Sequence, residues 1–258
     1  MPGCVILAGG KGTRLGPLGA RIAKAMLPVG ERPFLELLVA RCLASGLRPV
    51  VVAISHHAAD IRTHFADMRW GNAGLIFHET HQKETGGDLL DAMTRIPTGR
   101  FVVCNGDTVL DINVRAVLAF QSEAPDRGVI VLTRRRGVPN ENAIVVGDGN
   151  VVTASFEAAQ PPTEVPPWSW RGSATGTFVL YPGLLEGITR DSPSSLEQDI
   201  LPVLIKRRML RAFDNGLRYF LDFGTPERLA QLRRERETVL RLNEELLSER
   251  SRVWAADG

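Results

Sequence analysis

The chain has 258 residues, of which 44% are apolar and 23% are charged. That is enough to bury a full core, and the length fits one large domain better than two. The formal net charge is +2 and the basic residues are mostly interspersed with acids, so no basic stripe predicts a nucleic-acid partner. Without an apolar run of about 18 residues or a signal-peptide pattern, we expect no membrane partner and a cytoplasmic protein.

Short apolar runs rich in Val and Ile predict buried strands, and stretches with helical spacing lie between them. The strands are Cys4–Ala8, Pro49–Ile54, Leu75–Phe77, Phe101–Cys104 and Val129–Thr133, and the helices are Pro33–Ser45, Ala58–Met68, Gly87–Ile96 and Asn113–Glu123. This alternation predicts an α/β fold with a doubly wound, mostly parallel sheet and right-handed crossovers. Ligands bind such sheets at the carboxyl ends of the strands.

The second half of the chain is less regular. Ile144–Val146 and Val151–Phe156 flank a Gly-Asp-Gly-Asn turn, which predicts a hairpin as a small β insertion. Four prolines in Gln160–Trp170 predict an irregular loop, and Thr177–Tyr181 predicts a further strand. A helix is expected over Ser195–Arg207, capped by Ser194 or Ser195.

The C-terminal pattern predicts one long amphipathic helix from Pro226 to about Arg252. We therefore divide the chain into a domain over residues 1–225 and a C-terminal amphipathic helix over 226–258. This helix either packs on the domain or forms a homodimer contact.

The three cysteines, Cys4, Cys42 and Cys104, are odd in number, and each lies in an apolar segment. They are expected to be buried reduced thiols rather than a disulfide or a zinc site.

The first predicted strand runs into a glycine-rich string with an arginine. Its candidate nucleotide-binding residues are Leu7, Ala8, Gly9, Gly10, Gly12, Thr13 and Arg14. Glycines let backbone N–H groups approach a phosphate closely, and an arginine adds a charged fork suited to phosphate oxygens. The string is neither a Walker A loop nor a Rossmann Gly-x-Gly-x-x-Gly motif.

Asp107 directly follows a predicted buried strand, which puts its carboxylate at the ligand edge of the sheet. The alternative is that Asn105-Gly106-Asp107 is only a turn.

Five motifs occur in the order found in sugar-1-phosphate nucleotidyltransferases and span almost the whole chain. They are Leu7–Leu15 followed by Lys24, Glu84–Gly87, Asn105–Asp107, Ser195–Asp199 and Asp222–Pro226. The chain therefore resembles that family. The resemblance implies a Rossmann-like, glycosyltransferase-A-type sheet and nucleotidyl transfer from an NTP to a sugar-like 1-phosphate, with release of pyrophosphate.

The resemblance also implies roles for the residues in these motifs. The glycine-rich loop would hold the triphosphate, and Arg14 and Lys24 would stabilise charge on the reacting phosphates. Gly86 and Gly87 would lie against the nucleobase. Asp107 would be catalytic as a ligand of Mg²⁺, with Asp222 as the second metal position, because hard carboxylate oxygens suit that ion. The attacking phosphate is already an anion, so no catalytic histidine is expected.

The resemblance is weakest around the acceptor, where we assign Gly106, Glu157, Arg171, Thr175 and Gly176. Ala158 and Ala174 replace a lysine and an asparagine of the family, which predicts a changed acceptor pocket. Arg171 either supplies the missing charge or is a solvated surface residue. Asp88 replaces a small residue after the Gly-Gly pair and either accepts a hydrogen bond from the base or begins a helix.

Among subfamilies, the chain looks most like the heptose-1-phosphate guanylyltransferases. The altered acceptor contacts are similar to what a pseudo-sugar branch would need, such as valienol-1-phosphate guanylyltransferase in aminocyclitol antibiotic biosynthesis. GTP and a cyclitol 1-phosphate are thus the favoured substrates, with a hexose or heptose 1-phosphate and another NTP as the alternative. A catalytically silent nucleotide-sugar-binding regulator and a molybdenum-cofactor or isoprenoid cytidylyltransferase are the competing classes.

Overall fold

The computed structural model describes residues 1–66, 68, 74–81, 83–97, 99–134, 143–156, 168–188 and 193–244. The strands within these ranges are β1 Gly3–Leu7, β2 Pro28–Val29, β3 Arg32–Pro33, β4 Val50–Ile54, β5 Leu75–Glu79, β6 Phe101–Asn105, β7 Thr108–Leu110, β8 Gly128–Thr133, β9 Ala143–Val146, β10 Val152–Phe156, β11 Trp170–Leu180, β12 Leu210–Asp214 and β13 Phe220–Asp222. The helices are α1 Pro17–Arg21, α2 Phe34–Ala44, α3 Ala58–Ala66, α4 Glu84–Ala92, α5 Val114–Ser122, α6 Leu201–Lys206 and α7 Pro226–Arg234. Most of the predicted loop Gln160–Trp170 lies outside the described residues.

A central sheet dominates the described part of the chain, with the strand order β10-β9-β11-β6-β1-β4-β5 and with β8 and β12 joined through β11. The strands β6, β1, β4 and β5 are parallel neighbours. The predicted hairpin is confirmed as the antiparallel pair β9 and β10. An α/β fold with a mostly parallel central sheet is therefore confirmed.

One strand pairing differs from the prediction. The sequence predicts that the run Val129–Thr133 continues the parallel series after Phe101–Cys104, but β11 lies between β6 and β8 and is antiparallel to both. The end of β11 is buried on both faces, which suits an interior position in the sheet. Strand alternation along the chain does not indicate that a later strand inserts between two earlier ones.

The sheet buries an apolar layer on each face because successive side chains of a strand point to opposite sides. Cys4 and Ile6 of β1 belong to the cluster that contains α2 and the C-terminal segment. Val5 and Leu7 belong to the cluster with α4 and α6. Both faces of the parallel strands are thus covered, as a doubly wound arrangement requires.

The helix predicted over Ser195–Arg207 forms in two parts, a π-helical turn over Leu196–Ile200 and then α6. Ser195 is its cap, since its hydroxyl accepts a hydrogen bond from the Gln198 N–H at 3.2 Å.

The C-terminal prediction of one uninterrupted helix is wrong for the part that the structure describes. The helix α7 ends at Arg234, and a second helical segment covers 236–244. Glu235 lies at the break, where its carboxylate accepts a short hydrogen bond of 2.6 Å from the Tyr219 hydroxyl. Leu229, Leu232 and Val239 are buried in the main core, whereas a homodimer contact remains a prediction.

Among the residues in the ranges given above, no helix is long and apolar enough to span a membrane.

Candidate functional site

A cavity of about 1260 Å³ opens at the carboxyl ends of β1 and β6. Most of the residues predicted for the site line it. These are Leu7, Ala8, Gly9, Gly10, Gly12, Thr13, Arg14, Lys24, Gly106, Asp107, Thr175, Gly176 and Asp222. The strand-end rule and the sequence motifs therefore locate the same cavity.

The glycine-rich loop leaves β1 and is held by the neighbouring strand β4 and by α1. The Ala8 N–H donates to the Ala53 carbonyl at 2.9 Å, and the Ser55 hydroxyl donates to the Gly9 carbonyl at 2.7 Å. Gly12 has a φ of 63°, a conformation that favours glycine. A Cβ on Gly19 of α1 would lie 2.2 Å from the Gly12 carbonyl oxygen, so only glycine permits this close contact between the loop and the helix.

The two predicted metal ligands lie at neighbouring ends of a strand pair, Asp107 directly before β7 and Asp222 at the end of β13. Asp222 of β13 pairs with Thr108 of β7, the residue after Asp107, and the Phe223 N–H donates to the Asp107 carbonyl at 3.1 Å. Two carboxylates from segments 115 positions apart thus share one edge of the cavity.

Each carboxylate also contacts a cation. Asp107 forms an ion pair with Lys24, and Asp222 forms one with Arg228, a residue the sequence motifs did not assign. A Cβ on Gly224 would lie 2.7 Å from the Lys24 Nζ and 3.2 Å from an Arg14 guanidinium nitrogen. Arg14 and Lys24 therefore converge beside the carboxylates, where charged phosphates can bind between them.

The Gly-Gly pair does not form part of the cavity lining itself. The N–H groups of Gly86 and Gly87 both donate to the Ser194 carbonyl, at 2.7 and 3.1 Å. Their neighbours Thr85 and Asp88 line the cavity instead. The predicted contact between the glycines and a nucleobase stays a prediction.

Asp88 is a buried carboxylate on the cavity wall. The residue is 6% exposed, its Oδ1 accepts from the Lys83 N–H at 3.3 Å, and its Oδ2 would be 2.8 Å from a Cβ on Gly9. Burial raises the pKa of this carboxyl, while hydrogen bonds from Thr80 and Lys83 oppose the shift. Asp88 is the fifth residue of α4. The interpretation in which Asp88 begins this helix is therefore wrong.

Glu197 is a cavity residue to which sequence reasoning gave no role. Its Oε2 accepts from the Thr85 hydroxyl at 3.2 Å and from the Ser195 hydroxyl at 3.4 Å. Burial raises the pKa of its carboxyl, and the nearby charge of Asp107 acts in the same direction. Its place in the Ser195–Asp199 motif was the signal that could have identified it.

The side of the cavity assigned to the acceptor carries mainly uncharged polar groups. Asn105, Ser173 and Thr175 line it, and the Thr175 hydroxyl donates to the Val131 carbonyl at 2.9 Å. The lining also includes Ala174, Gly106 and Gly176, and a Cβ on Gly176 would lie 2.3 Å from the Asn105 amide nitrogen.

Two other predicted acceptor residues are not brought to this lining. Arg171 is exposed on β11 and is not among the described lining residues. Glu157 lies outside the described residues.

The fold and the site define an α/β protein that brings a glycine-rich loop, two basic side chains and paired carboxylates to one cavity. Residues 4–238 match the family described as Nucleotidyl transferase. The chain belongs to the nucleotidyl transferase family.

Relatives extend this assignment. The chain is 29% identical over 231 residues to a mannose-1-phosphate guanylyltransferase of Mycobacterium tuberculosis, covering 86% of this chain and 61% of that protein. It is 26% identical over 260 residues to a mannose-1-phosphate guanyltransferase of Kluyveromyces lactis, covering 98% and 68%. The chain thus spans about three fifths of the length of the first relative.

Solved structures share the fold. HddC from Yersinia pseudotuberculosis has a TM-score of 0.74 and 25% identity, covering 90% of this chain and 97% of that one. The same protein has also been solved complexed with GMP-PN, with a TM-score of 0.72. A putative glucose-1-phosphate thymidylyltransferase from Bacillus anthracis, at 18% identity and a TM-score of 0.73, supports the fold alone.

Proposed function

We propose that this chain transfers a guanylyl group from GTP to the phosphate of a sugar-like 1-phosphate. The products are pyrophosphate and a GDP-activated sugar or sugar analogue. The observation that carries this proposal is the convergence of Arg14, Lys24, Asp107 and Asp222 on one cavity. The names of the relatives, mannose-1-phosphate guanylyltransferases, support the reaction class.

The protein's own groups would manage charge on the triphosphate. Backbone N–H groups of the glycine-rich loop bind phosphate oxygens, and Arg14 and Lys24 offset charge on the pyrophosphate as it leaves. An oxygen of the acceptor phosphate attacks the α-phosphorus in line and forms a new P–O bond. The bond between the α-phosphorus and the oxygen that bridges to the β-phosphate breaks, and pyrophosphate leaves. Because the nucleophile is already an anion, no general base is needed.

The paired carboxylates fit a magnesium ion. Asp107 and Asp222 offer hard oxygen donors at one edge of the cavity, the donor type that Mg²⁺ prefers, with substrate phosphates completing its ligands. When bound, the ion would neutralise phosphate charge and orient the α-phosphate for attack. Lys24, which contacts Asp107, would then be released to bind phosphate.

Asp88 supports guanine as the base. Guanine presents two adjacent donors, N1–H and N2–H, and a carboxylate can accept from both. A carboxylate has about four acceptor positions, so the hydrogen bonds from Lys83 and Thr80 leave capacity for a ligand. Adenine has no such donor pair, so a buried carboxylate at this wall disfavours ATP.

A cyclitol 1-phosphate, such as valienol 1-phosphate, is the acceptor we favour. The polar side chains of Asn105, Ser173 and Gln198 can form hydrogen bonds with the hydroxyl groups of a ring. Ala174 stands where the family has an asparagine, so this position offers no side-chain amide to the acceptor. The cations among the described lining residues are Lys11, Arg14 and Lys24, all from the segment after β1. An ordinary hexose or heptose 1-phosphate is the alternative that the relatives support.

Pyrophosphate release tests the proposal. Purified protein with Mg²⁺ is screened with GTP, ATP, CTP, UTP and dTTP against hexose, heptose and cyclitol 1-phosphates. We expect selective turnover of GTP with a cyclitol phosphate and none after chelation of the metal. The same assay is run on Asp107→Asn, which removes one proposed metal ligand. Asp111→Asn is its matched control, because Asp111 pairs with Arg218 and neither residue is among the described residues that line the cavity.

Each result of the screen has a defined meaning. Turnover of GTP with only hexose or heptose phosphates would reject the cyclitol assignment and keep guanylyl transfer. Absence of turnover with every pair, in protein that binds GTP, would favour a nucleotide-sugar-binding regulator.

A further inference from the structure

Three cysteines that are distant in sequence meet on one face of the sheet. Cys4 of β1 pairs in register with Val102, so Cys104, two residues further along β6, points to the same face. Cys42 of α2 packs against both. The Cys4 Sγ lies 3.7 Å from the Cys42 Sγ and 3.6 Å from the Cys104 Sγ, and all three sulfurs lie within 4.8 Å of one another.

The spacing of the sulfurs matches a metal site. From these separations, a point equidistant from the three sulfurs lies about 2.1–2.4 Å from each, and a zinc–thiolate bond is about 2.3 Å long. The sulfurs would therefore need little movement to coordinate one ion. A disulfide would instead require two of them to approach to about 2.05 Å.

A buried arginine beside the cluster provides charge balance. Arg41 is 8% exposed, its guanidinium donates to the Leu110 carbonyl, and Cys42 and Cys104 interact electrostatically with it. Three thiolates around a divalent ion carry a net charge of −1, which the guanidinium neutralises.

We propose that Cys4, Cys42 and Cys104 form a three-thiolate binding site for a soft divalent cation, separate from the nucleotide cavity. None of the three lines that cavity. Soft thiolates select thiophilic ions of the Zn²⁺ and Cd²⁺ type over Mg²⁺. Binding forms three metal–sulfur bonds and releases the thiol protons to solvent.

The site would stiffen the two strands that lead into the cavity. Cys4 lies on β1, which continues into the glycine-rich loop, and Cys104 directly precedes Asn105-Gly106-Asp107. An ion that binds the folded chain and not the unfolded one raises the melting temperature.

Cadmium is the probe for the test. The full chain, reduced with a phosphine, is titrated with Cd²⁺, and a second sample is unfolded in urea and refolded with Cd²⁺, because Cys4 and Cys42 are buried. The chain has only three cysteines, so sulfur-to-cadmium charge-transfer absorption reports this cluster alone. Bound metal is counted after desalting, and ¹¹³Cd resonance identifies the number of sulfur ligands.

We expect one Cd²⁺ per monomer with a three-sulfur signature and a raised melting temperature. Cys42→Ser and Cys104→Ala, each shown to be folded by its own melt without metal, should retain at least tenfold less cadmium. His78→Ala, which changes a metal-binding side chain away from the cluster, should retain as much as the parent. Absence of charge-transfer absorption in both samples, or retention unchanged in Cys42→Ser, would overturn the proposal.

Discussion

Replacing Asp88 with asparagine tests the proposal that this carboxylate selects guanine. The asparagine side chain keeps the size of the aspartate but presents an amide donor where the carboxylate presents an acceptor. In the wild type, both guanine donors would bind the buried carboxylate. In Asp88→Asn, one of them would face another donor, so kcat/KM for GTP should fall.

The burial of Asp88 sets the size of the effect. A hydrogen bond to a charged group is worth about 1.5–3 kcal/mol, and at 6% exposure little solvent competes for this carboxylate. That range corresponds to a loss of about 10- to 150-fold in kcat/KM, since each 1.36 kcal/mol is tenfold.

Inosine triphosphate makes the assay specific, because it is GTP without the 2-amino group. The wild type should prefer GTP to ITP by about tenfold or more, and Asp88→Asn should reduce this preference to near unity, as in a double-mutant cycle. Asp91→Asn is the matched control, because Asp91 lies on the same helix, pairs with Lys83 at 3.6 Å and does not line the cavity. An unchanged GTP-to-ITP ratio in Asp88→Asn would show that the carboxylate does not contact the base.

Three further outcomes are expected. Asp107→Asn should lower kcat by at least about a hundredfold and keep a cooperative thermal melt, because it removes a proposed metal ligand; normal turnover would reject that role. Gly19→Ala should destabilise the chain by about 1–3 kcal/mol in urea, since its Cβ would lie 2.2 Å from the Gly12 oxygen, whereas Gly10→Ala, with no atom within 4 Å, should not. Burial raises the pKa of Glu197, so the folded state holds that proton more tightly than the unfolded state does. Wild-type stability should therefore fall relative to Glu197→Gln as pH rises from about 4.3 through the raised pKa, and a pH-independent difference would contradict this.

Local patterns predicted the elements that position the site. Short Val- and Ile-rich runs indicated β1, β4 and β6, and their ends fell within one or two residues of the observed strands. The glycine-rich loop and Asp107 directly follow two of these strands, so their place at the carboxyl edge followed from chain order alone.

Other features depended on contacts between distant segments. Thr85 and Glu197 meet across 112 positions, and Cys4 and Cys104 meet across 100. Each cysteine alone indicated only a buried thiol, which the structure confirms as free, and nothing in the spacing of the cysteines indicated that their sulfurs would converge.

The amino-acid sequence by itself determined the type and order of most elements, the glycine-rich loop and the family, because these depend on residues that are neighbours along the chain. The tertiary structure decided the insertion of β11 between β6 and β8, the approach of Asp88 to Gly9 and the cysteine cluster. Strand register and helix packing set those contacts, and both arise from the burial of many side chains at once, which no local periodicity records.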